Sequence, residues 1–249
     1  MEYQQFNENI ISKWCRDGWQ WGKPISHETY EKALNGEWDV YLTPTKVVPH
    51  AWLGELAGKK LLGLASGGGQ QIPIFSALGA KCTVLDYSLE QCKSEKLVAE
   101  REGYDVTIIR EDMTKRLPFD DETFDIIFHP VSNCYVEKVE PIFKECYRIL
   151  KKSGLFLGGY DLGINYIFDD KEENIIYTLP FNPLKNQTHY EDSMKNDWGF
   201  QFSHTLEEQL NGQLKAGFKL LSLYEDTGGS GILHEHNVPT FLAVLSIKE

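Results

Sequence analysis

With 249 residues, 41% of them hydrophobic, the chain can bury a sizeable core in one large α/β domain or two small ones. Its 25 basic residues against 37 acidic ones give a net charge of −12, which argues against a duplex nucleic-acid partner, since such a partner needs a cationic footprint. No apolar run is long enough to span a bilayer and the amino terminus carries no signal-peptide pattern; five cysteines without a CxxC pair read as reduced thiols, so a cytoplasmic protein is expected.

Residues 1–58 are aromatic-rich and irregular, with Trp14, Trp19, Trp21 and Trp38 all in the first 40 positions and short helices expected near 3–15 and 26–35. The proline-punctuated "LTPTKVVPHAW" then connects to a regular region. "KKLLGLA" (59–65) reads as a buried strand, Gln70–Leu78 as a short helix, and "KCTVLDYS" (81–88) as a second strand. Ser88 and Gln91 have capping-box spacing, which starts a helix running to Glu102 with Gly103 as its stop. "DVTIIR" (105–110), "FDIIFH" (124–129) and "LFLGGYD" (155–161) read as strands three to five. Between the last two, residues 138–152 place Ile142, Phe143, Cys146, Ile149 and Leu150 on one helical face, ended by "KKSG".

Residues 163–203 have no strong period. Thr205 and Glu208 form a second capping box for a helix that Gly217 ends. "FKLLSLY" (218–224) and "TFLAVLSI" (240–247) make a closing hairpin. Strands alternating with helices in this way predict a mostly parallel, Rossmann-like seven-stranded sheet flanked by helices, with an antiparallel last strand.

The turn after the first strand holds Gly67, Gly68 and Gly69, which let a polar, nucleotide-like ligand approach the backbone; a simple tight turn is the plainer alternative. Asp86 ends the second strand, about twenty residues on, where a carboxylate can accept both ribose hydroxyls. Glu111, Asp112 and Met113 follow the third strand, with an acid suited to an adenine amino group and a thioether suited to the ring. His129, ending the fourth strand ahead of Asn133, is either a general base or a structural histidine tied to backbone. His234, Glu235 and His236 are adjacent and lack a third metal ligand, so no metal is expected there. Cys134 and Cys146 show nothing that would activate a thiol.

Together these stretches resemble the class I S-adenosylmethionine-dependent methyltransferases, most closely the small-molecule type 11 branch, over residues 58–161 and more loosely in the final helix and hairpin. The likeness rests on "LLGLASGGG", Asp86, Asp112, "FDIIFHPVSN", "RILKKSG" and "LFLGGYD". It implies methyl transfer from S-adenosylmethionine to a small-molecule acceptor. The implied cofactor contacts are Gly63, Ala65, Ser66, Gly67, Gly69 and Gln70 in the first turn and Asp86, Tyr87, Ser88 and Gln91 after the second strand. Glu111, Asp112, Met113, His129 and Asn133 complete them. It also casts residues 1–58 as a lid, 59–249 as the methyltransferase domain and 163–203 as a cap insertion, with Trp14, Trp19, Trp21, Trp38 and Trp198 as candidate lid residues.

The chain departs from the family twice, with Gly63 where an acid is usual and Ala65 where a glycine is usual. The missing acid commonly holds the methionine ammonium, leaving the carbonyls of 63–65, the His129 carbonyl or an acid of the amino-terminal segment to receive it. Two alternatives stand beside this reading. One is a non-catalytic protein that binds the same cofactor; the other is an NAD-dependent dehydrogenase, for which "GLASGG" is a near miss of the dinucleotide fingerprint.

Overall fold

Seven strands form one sheet in the order β3-β2-β1-β4-β5-β7-β6. They are β1 (Lys60–Leu64), β2 (Lys81–Asp86), β3 (Val106–Arg110), β4 (Phe124–His129), β5 (Leu150–Asp161), β6 (Phe218–Asp226) and β7 (Phe241–Lys248). The structure is a computed structural model and describes residues 2–249. β1 to β5 run parallel; β7 enters antiparallel between β5 and β6, which makes the closing hairpin. The chain order reverses between β1 and β4, and a crevice at the carboxyl ends of strands is the usual ligand site at such a switch point.

The central strands are apolar on both faces because both faces are covered. Leu61 faces a core with Ile72, Phe75, Val84 and Phe128, while Leu62 and Leu64 face one with Ile127, Phe143, Ile149 and Phe156. Helices α2 (His27–Leu34) and α3 (Gln71–Ala77) pack on each other and on the first side; α5 (Glu140–Ile149) and α7 (Leu206–Ala216) do so on the second. α4 (Leu89–Glu102) runs along β2 and β3, and α1 (Tyr3–Arg16) lies against α4.

Helix ends follow local chemistry. Thr205 and Glu208 close a full capping box on α7, and Gly103 and Gly217 end α4 and α7 in the left-handed region. At α4 the box is half made: Ser88 accepts from the Gln91 N–H, but the Gln91 side chain donates to Trp21 O instead of returning to Ser88. The helix expected over 138–152 stops at Ile149, because Leu150 pairs with Phe124 and the "KKSG" residues become the start of β5. Two further helices, α6 (Gln187–Lys195) and α8 (Gly231–Glu235), lie in segments without a legible period. Asn186 caps α6 through the N–H groups of Thr188 and His189.

α1 is fastened to residues 197–202. Asn7, 4% exposed, accepts from Phe200 N at 2.6 Å and donates to Phe200 O at 2.9 Å and Tyr135 O at 3.1 Å. Phe6 packs on Phe200, Tyr3 on Phe202, and Lys13 pairs with Asp197. Asn7→Ala would leave the Phe200 N–H buried without a partner, so we expect a loss of about 2–3 kcal/mol in urea unfolding. Faster amide exchange over 197–202 should accompany it; unchanged exchange there would refute this role.

Candidate active site

The loops after β1 to β4 open into one cavity of about 350 Å³, at the small end of the range for small-molecule sites. Ala65, Ser66, Gly67 and Gln70 form one wall, with Asp86, Tyr87, Ser88 and Gln91 beside them and Glu111, Asp112 and Met113 beyond. Pro130, Val131, Ser132, Cys134, Tyr135 and Val136 come from the fourth loop, while Tyr41–Pro44, Asp161, Gln201 and Phe241 close the far side. α1 contributes Asn7 and Glu8, and Trp19 and Trp21 complete the cover. Among the described lining residues are five carboxylates and no Lys, Arg or His.

The first turn holds its shape by bonds to the second strand and to α4. Gly67 N–H donates to Asp86 Oδ2 at 3.0 Å, Gly68 N–H to Gln91 O at 3.0 Å and Gly69 N–H to Glu95 Oε2 at 3.1 Å. A Cβ on Gly67 would come within 3.0 Å of Asp86 Oδ2, closing the cradle; Gly69 has φ +67° and backs onto Ser94 and Val98. Ala65, in the place of the family's glycine, takes φ +48° and lines the cavity. Gly68 and Gly69 do not reach it.

Glu95 had no signal in the sequence beyond a helix position. It is fully buried, accepts from Gly69 N–H and from Tyr104 Oη at 2.9 Å, and burial pushes its carboxyl up to about 7.

Asp86 faces the cavity half-buried, with Oδ2 taken up by Gly67 N–H and Oδ1 by Ser88 N–H at 2.9 Å. Enclosure by protein pushes its carboxyl up to about 6, and the residue lines the cavity. Asp112 is 4% exposed; its Oδ1 accepts from both the N–H and hydroxyl of Thr114. Glu8 pairs with Arg110 at 3.2 Å, and Arg110 also lies over the Tyr87 ring.

His129 and Asn133 do not line the cavity. His129 is fully buried, its Nδ1 2.9 Å from Leu64 O and its Nε2 2.8 Å from Asn133 Oδ1. Leu64 O only accepts, so Nδ1 carries a proton, and burial, which lowers the imidazole pKa, favours the neutral ring. Nε2 then needs a donor, which Asn133 supplies when its amide is turned to present NH2, with Gln209 Nε2, otherwise without a partner, donating to its oxygen. The chain of polar groups continues from Asn133 through Gln209 and Gln213 to Ser246, all fully buried. With both ring nitrogens engaged, His129 ties β1 to the fourth loop and to α7.

Gly63 also lies away from the cavity, inside β1 between Val84 and Phe128. A Cβ there would come within 2.6 Å of Ile72 Cδ1, so Ile72 fills the space a side chain at this position would take. Leu64 O is occupied by His129, which removes it from the carbonyls open to an ammonium. Gly63→Asp would bury a carboxylate against Ile72; we expect a loss of about 2–4 kcal/mol by thermal or urea unfolding and no gain in ligand affinity. Unaltered stability would show that Ile72 yields easily.

Of the aromatic candidates, Trp19 and Trp21 line the cavity. Trp14 packs behind them on Trp19 and Tyr135, Trp38 stacks on His50, and Trp14, Trp38 and Trp198 stay outside the cavity wall. Cys134 reaches the cavity, but burial holds its thiol protonated. His234 Nδ1 meets Thr227 Oγ1 at 2.6 Å.

A methyltransferase-domain family matches residues 62–158, the segment that carries β1 to β5 and four of the cavity loops. The chain is 36% identical to the uncharacterized methyltransferase YbaJ of Bacillus subtilis (strain 168), over 97% of each chain. The chain belongs to the class I S-adenosylmethionine-dependent methyltransferases. The fold of this methyltransferase is shared with an S-adenosylmethionine-dependent methyltransferase from Mesorhizobium loti, at 19% identity and a TM-score of 0.64, covering 80% of this chain and 95% of that one. It is shared end to end with geranyl diphosphate C-methyltransferase from Streptomyces coelicolor A3(2), at 13% identity and a TM-score of 0.61, over 100% and 99% of the two chains. The cofactor of the methyltransferase is S-adenosylmethionine, and the dinucleotide alternative falls with this membership.

The cavity fits that cofactor. Its lining is acidic without a basic residue, which suits a ligand carrying a sulfonium, and Gln91 Oε1 is buried without a partner. Among the described residues no helix is long and apolar enough to cross a membrane.

Proposed function

We propose that the cavity binds S-adenosylmethionine along the loops of β1 to β3 and transfers its methyl group to a small-molecule acceptor lodged on the side of β4 and β5. The observation that carries this reading is the placement of Asp86 and Asp112, from two successive strand ends, on one wall with the Gly67 cradle. Asp86 would take the ribose hydroxyls, Asp112 the adenine amino group, and Met113 a face of the ring. Glu111, Tyr87, Ser88 and Gln91 support these contacts. Ala65, Ser66, Gly67 and Gln70 would hold the amino-acid end, with the Ala65 carbonyl as the ammonium acceptor in the absence of an acid at position 63. His129 and Asn133 act as positioning residues through Leu64 and the 130–136 loop.

The cofactor supplies an activated methyl group when bound; the residues of the chain hold the two partners in line and keep water out. Residues 1–58 and 163–203 serve as the cover over the core domain 59–249, since α1 and residues 197–202 are joined above the cavity. An acceptor small enough for the enclosed space, rather than a nucleic acid, agrees with the net charge of −12.

Calorimetric titration with S-adenosylmethionine and S-adenosylhomocysteine tests the binding half; release of S-adenosylhomocysteine in the presence of acceptors tests the chemistry. Tight binding with no release for any acceptor would favour the non-catalytic alternative.

A further inference from the structure

Asp161 ends β5 on the far side of the cavity from the loops of β1 to β3. It is 7% exposed and has no ion-pair partner among the described residues, whereas Glu8 on the opposite cover has Arg110. Its Oδ1 accepts from Gly163 N–H at 2.7 Å, and its Oδ2 lies 3.1 Å from Tyr166 Oη. Tyr166 Oη also lies 2.7 Å from Gln201 Oε1, whose amide nitrogen is committed to Trp198 O. The hydroxyl has one proton and two acceptors. With Asp161 ionised, one of these contacts has no proton. One added proton completes the set: a neutral Asp161 donates to Tyr166 Oη, and Tyr166 donates to Gln201. Trp19, Trp21, Tyr41, Tyr135 and Phe241 give the same cavity aromatic walls, which favour a cation.

We propose that the acceptor is a small amine that enters as an ammonium, held by Asp161 between aromatic walls, and that Asp161 receives the proton the nitrogen must lose before it can be methylated. This rests on the cavity being the methyl-transfer site. In the proton transfer one N–H bond breaks and one O–H bond forms on Asp161; the ammonium and the carboxylate both become neutral, and the nitrogen lone pair is freed. Burial pushes the Asp161 carboxyl up to about 6, within reach of such an exchange near neutral pH. The titratable groups facing it, Tyr166, Tyr135 and Cys134, are all held protonated by burial. An anionic acceptor would meet five carboxylates and, among the described lining residues, no cationic side chain.

The test uses the full chain saturated with S-adenosylhomocysteine and three probes of matched size: benzylamine, benzyl alcohol and benzoate, followed by ligand-detected NMR at millimolar concentration. Benzylammonium should bind at least about tenfold more tightly than benzyl alcohol, and benzoate should not compete. Asp161→Asn should erase this preference while S-adenosylhomocysteine binds as before. The amide can accept from Gly163 N–H and donate to Tyr166 Oη, so it reproduces the protonated arrangement and the fold should hold. Should that variant not fold, the wild-type protein answers by pH: the preference for benzylammonium should fade as pH falls below about 6. No benzylammonium binding, equal binding of the three probes, or a preference unmoved by both Asp161→Asn and acid overturns the proposal. Failure of S-adenosylhomocysteine itself to bind would instead overturn the reading of the cavity.

Discussion

Asp86→Ala should weaken S-adenosylmethionine binding by roughly 1.5–3 kcal/mol, the scale of hydrogen bonds to a charged group, or about ten- to a hundredfold in Kd. The residue has two tasks. Each carboxylate oxygen accepts one backbone N–H, from Gly67 and from Ser88, so it shapes the turn after β1 and the start of α4 together. Its remaining lone pairs would then meet the ribose. Asp86→Asn should do almost as badly, because an amide has one acceptor oxygen and its NH2 would face a backbone N–H. Calorimetry on the three proteins decides the matter. Asparagine with wild-type affinity would show that the two backbone bonds are dispensable and that the ribose is held elsewhere.

The second large effect is on stability. Glu95→Gln should stabilise the protein at pH 8 by roughly 1–3 kcal/mol, and the gain should shrink as pH falls toward 4.5. Glu95 is buried with two donors and, among the described residues, no cation, and its pKa rises from 4.5 to about 7 on folding. Between those values the native state holds a proton that the unfolded chain has released, so native stability falls as pH rises through this window and then levels off. Asp86 and Asp161, each pushed up from 3.8 to about 6, slope in the same direction between those values and are unaffected by the substitution. Glutamine keeps both contacts: its oxygen accepts from Gly69 N–H and its nitrogen donates to Tyr104 Oη. Urea unfolding of both proteins at pH 8 and pH 5 measures the difference. A gain that is the same at the two pH values would show that ionisation of Glu95 is not its source.

The central strands were legible because they are continuous apolar runs. Such runs are dictated by burial on both faces, as Leu61, Leu62 and Leu64 illustrate. Helix starts at Ser88 and Thr205 and stops at Gly103 and Gly217 were legible for a local reason, since a cap is made within a few residues. The extension of β5 back to Leu150 was not, because the pairing with Phe124 competes with helix for the same residues and acts across the sheet. α6 lies in a segment whose contacts come from α1, through Asn7 to Phe200, and from the fourth loop, through Cys134 O to Phe202 N–H.

The site divides along the same line. The sequence alone determined the succession of strands along the chain, the glycine turn and the carboxylates at the end of β2 and just after β3, because each is a short pattern at a fixed offset along the chain. Tertiary structure alone decided what those groups and the others touch. Ile72 fills the space beside Gly63, and Leu64 O and Asn133 occupy both nitrogens of His129, taking it out of the cavity. Glu95 sits beneath the glycine turn, and Asp161 shares one hydroxyl proton with Gln201. Burial, hydrogen-bond valence and the lack of a nearby cation arise between residues far apart in sequence, and it is these that set the charge a carboxylate carries and the ligand it suits.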